Sequence, residues 1–173
     1  MAVLQVHPLL SGLILLIPLI TDGFQKKPRL LPRFDSYRVV DSFAGLPAAI
    51  RTADSKLGKR YRTVLREGAK KGPNFAGHFT LVSWGCGSSC QMWGVIDART
   101  GQVFDWIVQS MAGAEFYLNS RLLIIDSPKR VREAFGDSPG PSCAACGTPD
   151  AYEWVGTRWR PVSGAEKDRA RRY

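Results

Sequence analysis

The chain has 173 residues, of which 45% are hydrophobic and 23% are charged, and its formal net charge is +9. This length and composition are those of one globular domain with a real core, and no internal repeat indicates a repeat protein. The positive charge favours anionic partners. Among them we expect a polymer of the cell envelope, or otherwise another protein, rather than nucleic acid.

The N-terminus begins with an apolar run over residues 8–20, which has the length of a signal peptide and is short for a membrane span. Thr21 and Gly23 supply the small residues of a cleavage site, although no Lys or Arg precedes the run. We therefore predict a signal peptide over residues 1–23 and a periplasmic or secreted location. The alternative is an uncleaved anchor, in which case this segment is the contact with the membrane.

An amphipathic helix is predicted over about residues 55–69, after a basic linker at 24–36 and a short strand at 37–40. Its apolar stripe at helical spacing consists of Leu57, Tyr61, Val64 and Leu65. Its opposite face carries the cations Lys56, Lys59, Arg60, Arg62, Arg66 and Lys70. Such a face is either solvated or binds an anion, and the sequence leaves both interpretations open.

The centre of the chain, residues 72–108, predicts a meander of three antiparallel strands. The runs rich in β-branched and aromatic residues are 78–84, 91–97 and 103–108. In the second run, period-two alternation places Trp93 and Val95 on one face and Met92 and Ile96 on the other. The runs are separated by residues 85–90 and by a short turn that ends at Gly101.

The later elements complete the predicted fold. The nearly all-apolar run 121–126 predicts a central strand buried on both faces, followed by a short helix at 129–135. A long loop at 136–150 leads to a hairpin of residues 151–155 and 158–162. Residues 163–173 are predicted to be a basic, disordered tail. The sequence therefore predicts a single α+β domain over residues 37–162, mainly antiparallel sheet with one amphipathic helix.

All four cysteines follow the apolar run, and an even count in an exported chain predicts disulfides. Cys86 and Cys90 can reach each other across the mouth of the predicted first hairpin, which favours local pairing and leaves Cys143 with Cys146. Crossed pairing between the two clusters remains an alternative, as do a redox role for Cys143 and Cys146 and a four-cysteine zinc site. We predict disulfides, with no metal and no cofactor.

Two interpretations of the central meander compete. As a binding surface it would use Asn74, His78, Trp84 and Trp93. The five tryptophans form either an exposed platform or part of the core. As a cysteine-dependent hydrolase it would use Cys86 or Cys90, with His78 as the base.

Geometry limits the hydrolase interpretation. Along one extended strand His78 and Cys86 lie roughly 26 Å apart, so the pair requires a sharp bend. The hairpin register instead places His78 near Asp97 or Ala98, and a contact between His78 and Asp97 is the resulting hypothesis. The catalytic candidates are therefore His78, Cys86 and Asp97.

The motifs Gly72-Pro73-Asn74-Phe75-Ala76-Gly77-His78 and Trp84-Gly85-Cys86-Gly87 with Cys90, followed by Ile96-Asp97 and Thr100-Gly101, resemble those of an uncharacterised group of exported bacterial proteins. The resemblance covers about residues 60–105 and implies export without implying an activity. The favoured function is therefore a disulfide-stabilised binding or inhibitor-like module of the bacterial cell envelope. The alternative is the hydrolase.

Overall fold

A computed structural model describes residues 30–137, 148–162 and 170–173. In chain order the strands are β1 (Phe79–Gly87), β2 (Cys90–Asp97), β3 (Val103–Ser110), β4 (Ala114–Glu115), β5 (Leu122–Ile125), β6 (Asp150–Trp154), β7 (Trp159–Pro161) and β8 (Ala170–Arg172). The helices are α1 (Lys56–Arg60), α2 (Arg62–Ala69) and α3 (Pro128–Phe135), with 3-10 turns at Phe34–Tyr37 and Thr52–Asp54. The fold is a single, mainly antiparallel α+β domain, as the sequence predicts.

Two four-stranded sheets account for these strands. Sheet I has the order β1-β2-β3-β8, and sheet II has the order β4-β5-β6-β7. The predicted meander forms sheet I, with Ser83 opposite Trp93 and Trp93 opposite Val108. The first hairpin extends further than predicted, because β1 continues to Gly87 and β2 begins at Cys90.

Sheet I is buried on both faces, which follows from the two apolar sets that alternate along β2. Trp93 and Val95 pack toward sheet II, in the larger core cluster. Ile96 packs toward α1 and α2, and Met92 lies against the same cluster. The predicted assignment of these four side chains to two faces is confirmed.

Sheet II is also covered on both sides. The predicted central strand is confirmed, because β5 lies inside sheet II and all four of its residues are buried. Leu31, Phe34 and Tyr37 cover the outer face of this sheet. The predicted linker at residues 24–36 therefore contributes packing at its C-terminal end. The predicted strand at 37–40 is reduced to one bridge, between Arg38 and Ser120.

The predicted helix over residues 55–69 is two helices that meet at Tyr61, where the backbone leaves helical geometry at φ −110° and ψ 31°. Ser55 caps the N-terminus of α1, because its hydroxyl accepts a hydrogen bond from the N–H of Gly58 at 2.8 Å. Leu57 and Leu65 are both fully buried against sheet I. The apolar stripe is therefore correct, although the helix is interrupted.

The predicted disordered tail is wrong for residues 170–172, which form β8 and pair with β3. The run Ala170-Arg171-Arg172 has no apolar alternation that would predict a strand. It is ordered by pairing with β3, with Ala170 opposite Val108.

Residues 1–29, 138–147 and 163–169 lie outside the described residues. The predicted signal peptide at 1–23 and most of the predicted loop at 136–150 therefore also lie outside them. None of the described helices has the length and apolar character needed to cross a membrane.

Candidate functional site

Asn74, one of the predicted binding residues, pairs with the backbone of β1 and also borders a cleft beside that strand. Its Oδ1 accepts a hydrogen bond from the N–H of Leu81 at 2.8 Å, and its Nδ2 donates to the Leu81 carbonyl at 3.1 Å. The side-chain amide thus occupies the place of a neighbouring strand's peptide group. Phe75, the next residue, is fully buried in the larger core cluster. Both residues therefore serve the fold.

The loop between α2 and β1 continues through Ala76 and Gly77, which adopt φ values of 45° and 84°. A side chain at Gly77 would place its Cβ 2.1 Å from the carbonyl oxygen of Asp41, and the positive φ also favours glycine. The Gly77 carbonyl accepts a hydrogen bond from the N–H of Phe43 at 3.0 Å. This part of the motif therefore joins the N-terminal segment to the meander.

His78 lies at the start of β1 and contacts an acid that the sequence analysis did not identify. Its Nδ1 is 3.1 Å from Oδ2 of Asp41, and its ring lies over Phe79 at 4.1 Å. The predicted contact with Asp97 is wrong, although the predicted register near Ala98 is right. The N–H of Ala98 donates to the His78 carbonyl, and Asp97 lies opposite Phe79.

The side chain of Asp97 has a different partner. Its Oδ1 accepts a hydrogen bond from the backbone N–H of Arg99 at 2.8 Å, within the turn between β2 and β3. An aspartate that bonds to the N–H two residues ahead stabilises a turn. Asp97 is therefore a turn residue in this structure.

Asp41 joins His78 to the turn between β2 and β3. Arg99 Nη2 lies 2.5 Å from its Oδ1, and the Arg99 guanidinium also lies 5.8 Å from the centre of the Phe43 ring. The hydrogen bond from Arg99 lowers the pKa of Asp41 and exceeds the opposing effect of burial, and smaller contributions from the charges of Arg99 and His78 act in the same direction as the hydrogen bond. The group is therefore an ionised clamp that links three segments of the chain.

Asp41 also borders a cleft of about 330 Å³, between the 38–42 segment and Leu118 with Asn119. No sequence signal connects Asp41 with His78, because 37 residues separate them and Asp41 lies in an irregular segment.

Cys86 and Cys90 form a disulfide across the first hairpin, with their Cα atoms 5.1 Å apart. Local pairing of these two residues is therefore confirmed, whereas Cys143 and Cys146 lie outside the described residues. A bonded cysteine has no thiolate to attack a substrate. His78 lies at the opposite end of β1, so the structure does not bring the three groups of the hydrolase interpretation together.

The tryptophans belong mainly to the core. Trp93 is 8% exposed, and its Nε1 donates to Ser110 Oγ at 2.8 Å, so most of this side chain belongs to the core, although it also borders a cleft beside β1. Trp154 and Trp159 are also buried. Trp84 and Trp106 remain partly exposed, and the ring of Trp84 lies 4.7 Å from that of Tyr61. The alternative of core packing is therefore correct for most of the set.

Two adjoining clefts meet at Ser83 on β1. The first, of about 370 Å³, is bordered by Lys71 on one side and by Phe116 and Arg130 on the other. The second, of about 310 Å³, runs along the disulfide hairpin to Met111. The predicted binding residues Asn74, Trp84 and Trp93 line these clefts, whereas most of the other lining residues were not predicted, because they come from segments that are far apart in the chain. In the described ranges no three His, Cys, Asp or Glu side chains are placed to hold a metal ion.

Comparison with known proteins adds no assignment, since no family model, curated protein or solved structure matches this chain. The resemblance of the central motifs to an exported bacterial group therefore stays a prediction. The features that remain for function are the exposed cations of α1 and α2, the clamp around Asp41 and the clefts beside β1.

Proposed function

We propose that this protein is an exported binding module that recognises an anionic polymer of the bacterial cell envelope. The observation that carries the proposal is a surface we call the basic face, on α1, α2 and the residues that follow them. It consists of Lys56, Lys59, Arg60, Arg62, Arg66, Lys70 and Lys71, all of them exposed.

The basic face concentrates charge to an unusual degree. Residues 56–71 contain seven cations and one acid, Glu67, for a net charge of +6, against +9 for the whole chain. Glu67 is paired with Lys70 at 2.7 Å, so it offsets little of the field of the other six. A surface of one sign attracts polyanions over the range of the Debye length, roughly 10 Å at moderate salt.

The arrangement is also unfavourable for the helices themselves, which supports a role in binding. Arg62 and Arg66 are like charges four residues apart, a spacing that destabilises a helix by about 0.2–0.5 kcal/mol. Lys56 and Arg62 open α1 and α2, where the helix dipole favours acids, and neither first turn contains one. A polyanion bound at this face would relieve both effects.

The location rests on two supporting features. The apolar run at residues 8–20 is typical of signal peptides. The disulfide between Cys86 and Cys90 is typical of proteins in oxidising compartments such as the periplasm. No geometry in the described residues supports the hydrolase alternative equally well, because its nucleophile is bonded and its base faces Asp41.

The test is retention on immobilised heparin, a model polyanion, followed by binding to purified lipopolysaccharide. A variant with Lys59→Gln, Arg62→Gln and Arg66→Gln removes three cations that have no acidic partner among the described ion pairs. We expect this variant to elute at clearly lower salt than the native chain and to lose binding to lipopolysaccharide, because the field of the basic face is halved.

The matched control removes three exposed cations elsewhere, with Lys129→Gln, Arg132→Gln and Arg158→Gln. It has the same net charge as the basic-face variant, so it separates a local surface from an overall charge effect. We expect it to elute close to the native chain. Equal elution of the two triple variants would show that only net charge matters and would refute a dedicated binding face.

A further inference from the structure

One edge of sheet I is unpaired over part of its length. Strand β1 forms this edge, with β2 on its inner side. The N–H and C=O of Leu81 point away from β2, because they bond to the side chain of Asn74. Peptide groups alternate in direction along a strand, so those of Ser83 and Gly85 point outward as well. We call Ser83 with Gly85 the free edge.

The free edge is accessible and lacks a partner within the described residues. Ser83 and Gly85 are both exposed, and no backbone hydrogen bond from outside the β1–β2 ladder reaches either of them there. Beyond Gly85 the register shifts, with Gly87 opposite Cys90, so the free edge ends at the disulfide hairpin. An exposed strand edge of this kind is a template for another extended chain.

Two walls flank the free edge at Ser83 and turn this part of it into a groove. On one side stand Val64 and Gly68 of α2, with Lys71 two residues after the end of the helix. On the other side stand Phe116 and Arg130. Alternate side chains of an added strand would face these two walls in turn. The groove therefore offers backbone pairing at its base and side-chain contacts on each side, as in peptide recognition by strand addition.

The chain already shows a polypeptide pairing at this edge. The N–H groups of Asn74 and Phe75 donate to the carbonyl of Phe79, and the Asn74 amide then pairs with Leu81. This segment follows the outer side of β1 until Leu81 and stops there. An incoming strand would continue the same ladder at Ser83.

We propose that the free edge binds an extended segment of a partner protein, which adds to sheet I as a further strand and directs an acidic side chain toward Lys71. Glu67 is paired with Lys70, and Arg130 is paired with Glu133 at 2.9 Å, so among the described residues that line the groove Lys71 is the cation left for the ligand. A second copy of this chain fits less well, because edge-to-edge pairing would bring two strongly basic chains together.

The test is a selection of random phage-displayed peptides on the immobilised protein. The enriched peptides are then synthesised, and their binding to the protein is measured. We expect enriched peptides that alternate apolar and polar residues and contain an acid. Methylating alternate backbone nitrogens of such a peptide should weaken binding about tenfold or more, because strand addition needs those N–H groups. Methylation of the intervening nitrogens should have little effect.

The matched protein variants are Ser83→Pro and Ser83→Ala. Proline removes the outward N–H and is tolerated on edge strands, whereas alanine keeps the N–H and loses only the hydroxyl. We expect Ser83→Pro to lose binding by about tenfold or more and Ser83→Ala to bind as the native chain does. The methylated peptides report on the same hydrogen bonds in the native protein, so they decide the question if Ser83→Pro fails to fold.

Three outcomes would overturn the proposal. The first is a selection that enriches no peptide sensitive to backbone methylation. The second is peptides that bind Ser83→Pro as tightly as Ser83→Ala. The third is a dimer in sedimentation that Ser83→Pro dissociates, which would make a second copy the occupant. The Lys71→Gln variant should show a weaker preference for acidic peptides than the native protein. An unchanged preference would contradict the role given to Lys71.

Discussion

Replacing Asn74 with alanine tests whether the motif around it is structural. The change removes the hydrogen bonds of 2.8 and 3.1 Å that the Asn74 amide makes with the N–H and C=O of Leu81. Leu81 is 4% exposed, so water cannot readily replace either bond. Each bond contributes about 0.5–1.5 kcal/mol net, and a buried group left unpaired costs more. We therefore expect the free energy of unfolding to fall by about 2–3 kcal/mol.

Urea unfolding followed by tryptophan fluorescence measures this loss, and a thermal scan should show the melting temperature lowered by about 5–10 °C. Asn74→Asp keeps the size but turns an oxygen toward the Leu81 carbonyl, so we expect at least as large a loss. Asn119→Ala, at an exposed asparagine, serves as the control and should change little. An Asn74→Ala protein within about 0.5 kcal/mol of the native chain would refute the structural role.

Two further predictions concern the buried acid and the disulfide. Burial alone raises the pKa of Glu153, but hydrogen bonds from Arg121 and Arg160 outweigh it and hold the pKa below its usual range. Glu153→Gln should therefore cost about 2 kcal/mol at neutral pH, and this difference should shrink as the pH falls below about 4, through the folded-state pKa. Urea unfolding as a function of pH measures it, and a difference independent of pH would contradict the assignment. Replacing Cys86 and Cys90 with serine removes a disulfide that joins residues four positions apart. The free energy of unfolding in the same assay should fall by about 2 kcal/mol. An unchanged urea midpoint would contradict this estimate.

The elements that the sequence predicts well are those with local apolar alternation. In β2 the side chains of Trp93 and Val95 alternate with Met92 and Ile96, and each set meets its own core. The predicted buried strand at 121–126 corresponds to β5, and its signal is also local, because the run is nearly all apolar. The pairing of Cys86 with Cys90 also followed from local geometry, because the hairpin brings them together.

The features that sequence reasoning missed depend on contacts between distant segments. Asp41 lies 37 residues before His78, in an irregular stretch without periodicity, so nothing local marks it as the partner. The break between α1 and α2 at Tyr61 lies within a regular apolar stripe, so the sequence pattern gives no sign of it. The Tyr61 ring packs on Trp84, which is distant in the chain. Residues 170–172 form a strand because the edge of β3 is available to them.

The two edges of sheet I differ in a way that bears on self-assembly. At the far edge β8 covers β3 over Trp106 to Val108, and β8 itself is only three residues long with exposed Arg171 and Arg172. A short, charged strand is a poor template for further pairing. Growth into a fibre requires two edges that can join head to tail. Within its described residues sheet I offers one such edge, so strand addition at β1 ends after a single step.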